Sequence, residues 1–171
     1  VASSPAIWIR FSPALLLVAY TCLRLLPYPF AGIAHFMPAL DAACIFFWAL
    51  RAPSALSLWF IALLGLFYDL LSGMPLGITS LLHISLYTAT GWLRPILKKW
   101  TPSMIWGAWV FLSLGFVAAM LFLFSLHDRS WSGTWIYPSF FWLMTAMAFP
   151  LVYSLCQICY RAFPSGWFYA E

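Results

Sequence analysis

Ionisable side chains are scarce in this chain, so the few that lie in apolar runs carry most of the chemical information. Asp41, Asp69 and His83 sit in such runs, and Cys156-Gln-Ile-Cys159 has the spacing of a dithiol redox motif. Carboxylates and an imidazole in an apolar setting are the material of a proton relay or a polar binding site. Nothing resembles a nucleophile elbow, a zinc-ligand helix motif, a phosphate loop or paired catalytic carboxylates. No catalytic residue, metal site or cofactor is therefore assigned, and an enzyme is not expected. Cys156 and Cys159 fall at the cytoplasmic end of the last expected helix, where an oxidised pair does not persist. With Cys22 and Cys44 they read as small buried hydrophobes.

The elements that must position these groups follow from composition. Hydrophobic residues make up 65% of 171 positions and charged residues 7%, against about 25% charge in a soluble domain. Such a chain cannot cover itself with polar groups, so its outside must face lipid. The expected fold is all-α: an integral membrane protein forming a six-helix transmembrane bundle, one polytopic domain over 1–171. Expected helices cover 7–26, 31–50, 53–71, 76–93, 103–126 and 134–160, the last with a kink at Pro150. The apolar run after Arg10 reads as an uncleaved helix, since no cleavage site follows it. The chain opens on Val1 and not Met, so further residues are expected before it.

Six crossings put both termini on one side. That side holds Arg10, Arg51, Arg94, Lys98, Lys99 and Arg161, the other Arg24 and Arg129. Because basic residues stay cytoplasmic, both termini are expected inside. Trp92, Trp100, Trp131, Trp135 and Trp167 near helix ends suit an interfacial aromatic belt. The net charge of +4 reads as a topology signal, with no basic run suited to nucleic acid. The Arg94, Lys98, Lys99 turn suits anionic headgroups.

On the third helix Ala62, Gly65, Asp69 and Ser72 share one small or polar face. Ser80, His83, Tyr87 and Thr90 repeat the pattern on the fourth. Small faces let helices approach closely in lipid, so the two helices either pack together or receive a partner's helix. Asp69 has two readings. In one it accepts hydrogen bonds from backbone donors at the start of the fourth helix, with Gly73, Pro75 and Gly77 shaping the turn. In the other it forms a proton or substrate site with His83. Asp41 has three: pairing with His35 or Arg24, reaching headgroups, or serving transport.

Gly65-x-x-x-Asp69-x-x-Ser72-Gly73-x-Pro75-Leu76-Gly77 resembles the most recognisable segment of the bacterial rod shape-determining MreD family. Pro38, then Phe47-Trp48-Ala49-Leu50 and Pro53, is similar to that family's second-helix pattern. The resemblance implies a non-enzymatic inner-membrane scaffold of the elongation machinery that directs side-wall peptidoglycan synthesis. It implies binding to MreC and indirect coupling to MreB, RodA and a class B penicillin-binding transpeptidase. It also implies a fold similar to the substrate-binding subunits of energy-coupling-factor transporters, an analogy that carries no ligand. The competing reading is a small-molecule-binding subunit of a vitamin-type transporter, with Asp41, Asp69 and His83 around a polar cavity.

Overall fold

The computed structural model describes residues 5–26, 37–127 and 136–161, with side chains over 11–26, 37–126 and 138–161. Among these are six α-helices and no strand: α1 (Pro5–Leu25), α2 (Leu40–Arg51), α3 (Leu58–Ser72), α4 (Ile78–Leu97), α5 (Pro102–His127) and α6 (Ile136–Arg161). A short 3₁₀ helix, Pro53–Ala55, lies between α2 and α3.

The sequence of α2, LDAACIFFWALR, is apolar on every face after Asp41, as suits a helix surrounded by protein. All ten residues from 41 to 50 are buried. α2 touches α1, α4 and α6, and its Phe46 ring meets Trp109 tilted and Phe149 edge-on at 5.2 and 5.6 Å, while those two rings stack on each other. Its C-terminal carbonyls have no partners within the helix. Arg94 Nε of α4 donates to the Leu50 carbonyl at 3.2 Å, and Arg51 reaches the Tyr153 hydroxyl at 2.8 Å.

Two expected boundaries are corrected here. Residues 37–39 are not helical, so α2 begins nine positions after the expected 31, and 31–36 lie outside the described residues. Proline disfavours helical backbone at the residue before it; Pro38 instead accepts the Leu40 N–H at 2.9 Å, and Ala39 N–H goes to Thr145 Oγ1 at 3.1 Å. α3 begins at Leu58 and not at 53, because Leu56 and Ser57 adopt extended backbone after the 3₁₀ helix. Tyr87 of α4 holds that break by donating to the Pro53 carbonyl at 2.9 Å.

α5 and α6 are long and apolar enough to cross a membrane. α4 has the length, at 20 residues, but carries many hydroxyls. Those of Ser85, Thr88 and Thr90 donate to carbonyls three or four residues back, which satisfies them where water is absent. α6 continues through Pro150. A proline frees the carbonyl four residues earlier, here that of Ala146, and Trp106 Nε1 of α5 takes it at 3.0 Å. Trp109 and Trp142 add indole bonds to the Thr145 and Val110 carbonyls, so three tryptophans fasten α5 to α6.

Candidate functional site

The residues singled out by type and spacing fall into two neighbouring groups, one at the α3–α4 turn and one at a buried junction of four helices. Asp69 governs the first. Its carbonyl accepts the Met74 N–H at 3.1 Å, the long bond of a Schellman ending, with Gly73 in the left-handed conformation at φ 70°. Its carboxylate accepts the Gly77 N–H at 2.8 Å and the Thr79 N–H at 3.1 Å. Gly77 is the N-cap of α4, at φ 95°, and has no side chain with which to cap it. Asp69 supplies the cap from eight residues upstream, where the helix dipole favours negative charge. One residue thus ends α3 and begins α4, and its side chain is fully buried.

Below the turn the helices close tightly. A Cβ at Gly65 would lie 2.6 Å from Ser80 Cα and 2.7 Å from Ser80 N, both backbone atoms. Ser80 Oγ donates to the Ala62 carbonyl at 2.8 Å. The small faces of α3 and α4 therefore pack on each other, and this seam has no room for a third helix. Ser72 is exposed, with its hydroxyl on the Asp69 carbonyl at 3.4 Å, and the Pro75 carbonyl accepts the Ile78 N–H at 3.4 Å.

His83 does not join Asp69. It faces α2, where Nε2 lies 3.4 Å from Asp41 Oδ2 without hydrogen-bond alignment, and its ring stacks on Phe116. Asp41 is fully buried, so the reading in which it reaches headgroups is overturned. Arg24 Nη1 donates to both its oxygens, at 3.0 and 2.8 Å, and Asp41 Oδ1 also accepts the Ala42 N–H. The Arg24 guanidinium lies over the Tyr68 ring at 4.3 Å, a cation–π contact strengthened by exclusion of water. One node therefore joins α1 through Arg24, α2 through Asp41, α3 through Tyr68 and α4 through His83. The other candidate partner, His35, lies outside the described residues.

Sequence reasoning offered Arg24 for Asp41 and grouped His83 with both acids only in the transporter reading, and it missed Tyr68. It also counted Arg24 among the basic residues of the outer side, and the side chain is only 9% exposed. Of the second-helix motif, Pro38 precedes α2, Trp48 is fully buried in it and Pro53 opens the 3₁₀ helix. Cys156 Sγ lies 3.9 Å from Cys44 Sγ, a cross-helix neighbour that the Cys-x-x-Cys spacing does not reveal, and all four cysteines are free.

The arrangement is mechanical in character. Asp41, Asp69 and His83 line neither of two cavities, of about 790 and 560 Å³; Arg24, Tyr68 and Ser72 border the smaller one among mostly apolar side chains. No three His, Cys, Asp or Glu side chains among the described residues converge to hold a metal ion.

Comparison with known proteins gives the family. Neither curated proteins nor solved structures give a match. A family model described as rod shape-determining protein MreD matches residues 6–159, from α1 into α6. The chain, with its Asp69-capped turn and closely packed α3–α4 pair, belongs to the rod shape-determining MreD family of membrane proteins.

Proposed function

We propose that this chain is a non-enzymatic scaffold of the bacterial inner membrane, serving the machinery that builds side-wall peptidoglycan. On this reading it binds MreC and couples through it to MreB, RodA and a class B penicillin-binding transpeptidase. It works as a single polytopic domain, both termini cytoplasmic, with a fold like that of the substrate-binding subunits of energy-coupling-factor transporters. Family membership gives the role in rod shape. The observation that carries the scaffold reading is how the intramembrane polar groups are used. Asp69 caps a helix, Ser80 bonds across a helix seam and Asp41 neutralises Arg24. Each is bound to protein, Asp41, Asp69 and Ser80 line neither of the two cavities, and the result is a braced body presenting apolar ridges. On α3 that ridge carries Trp59, Leu63 and Leu70, all more than 60% exposed.

Docking then depends on a correctly assembled bundle and not on a reactive group. Gly65→Leu or Asp69→Leu is expected to abolish complementation of a shape-defective strain and to lose MreC in mild-detergent pull-down. Normal rods together with wild-type MreC recovery from either variant would remove the proposal.

A further inference from the structure

Between α4 and α5 runs an apolar groove of about 790 Å³. Leu86, Leu93 and Ile96 form one wall, and Met104, Phe111 and Phe116 the other. A Cβ built at Gly107 or Gly115, also in the lining, meets nothing within 4 Å, so the groove stays open where packed helices would close it. The single hydroxyl of the wall, on Ser85, is taken by the Leu82 carbonyl of its own helix. From Leu82 to Leu97 the groove follows α4 for roughly 22 Å at 1.5 Å per residue, more than the ~15 Å half-thickness of a bilayer's hydrocarbon.

One end of the groove is strongly basic. Leu97 and Trp100 line it, and the exposed Lys98 and Lys99 stand between them in the chain. Burial, then the neighbouring Arg94 and Arg51, push the Lys98 ammonium below its usual range. No carboxylate offsets this charge among the described residues. Their only acids, Asp41 and Asp69, are fully buried and bound to Arg24 and to the α3–α4 turn. An apolar slot more than one leaflet long, ending at cations with no counter-ion among the described residues, is complementary to one molecule of the surroundings. That molecule has a hydrocarbon chain and an anionic head.

We propose that the α4–α5 groove and the Lys98–Lys99 turn form a binding site for an anionic phospholipid. Its acyl chain lies along the groove and its phosphate at the two lysines. The site goes beyond the scaffold role and does not depend on it, because it involves neither the α3–α4 seam nor the Arg24–Asp41 pair.

The test uses the full chain purified from vesicles of equal phosphatidylglycerol and phosphatidylcholine, with retained lipid counted by native mass spectrometry. Wild type is expected to keep phosphatidylglycerol over phosphatidylcholine by roughly tenfold or more, as two juxtamembrane cations support. Lys98→Gln with Lys99→Gln alters only exposed positions and should abolish the preference with unchanged thermal unfolding. Gly107→Leu with Gly115→Leu fills the groove, leaves the lysines in place and should also release the lipid. Equal retention of both lipids by wild type, or unaltered retention by the lysine variant, would overturn the site. So would retention by a folded groove-filled variant, which would mean headgroup attraction alone. Crosslinking of Gly107→Cys to a partner's helix in place of lipid would overturn it as well.

Discussion

At the residue scale the central fact is that Arg24 and Asp41 neutralise each other away from water. Such a pair is weak evidence of stabilisation in itself, but removing one partner strands the other charge. Asp41→Ala is therefore expected to destabilise the bundle by about 3–5 kcal/mol. Arg24→Met with Asp41→Leu, which removes both charges, is expected to be far milder. Thermal unfolding in detergent compares them, and a double variant as unstable as Asp41→Ala would show that the pair is not the source of the loss. The chain alone pointed to Asp69 and to the backbone it binds, because donor, acceptor and turn lie within eleven residues. The node around Asp41 was half legible. Arg24 was one of its proposed partners, but Tyr68 and His83 reach it from helices whose rotation about their axes no local spacing reveals.

At the scale of elements, the α3–α4 seam turns on one missing methyl group. Gly65→Ala would drive a Cβ into the Ser80 backbone, which cannot yield as a flexible side chain would. The expected loss is about 1–3 kcal/mol, as for other overpacked sites. Gly107→Ala is the internal control: the space is open there, and alanine's helix preference predicts a gain of roughly 0.5–1 kcal/mol. Equal unfolding midpoints for the two variants would dismiss the close approach as a determinant of stability. This seam was readable from the three- and four-residue spacing of small side chains. The start of α2 was not, since apolarity runs through Met37 and Ala39 and only the backbone constraint of Pro38 argues against helix there.

For the molecule as a whole, the proposed orientation rests on a charge asymmetry in the sequence. Arg24 is withdrawn into the interior, so the proposed orientation, with six basic residues inside, leaves Arg129 as the other basic residue it assigns outside. A C-terminal reporter that works only in the cytoplasm should be active, and one that works only outside should be silent; the reverse pattern would invert the topology. The six-helix, all-α architecture was legible from composition, because apolar runs and proline breaks alternate along the chain. How those helices nest was not. α2, about 18 Å long at 1.5 Å per residue and enclosed on every face, has implications for biogenesis. Lipid offers Asp41 no partner, and Arg24 is equally unwelcome there before Asp41 arrives. Releasing the spans of such a chain into the bilayer one at a time would therefore cost a few kcal/mol for each stranded charge, roughly 2.5–3.5 at a helix centre. Insertion of α1 and α2 as a pair, with Arg24 already on Asp41, avoids that cost.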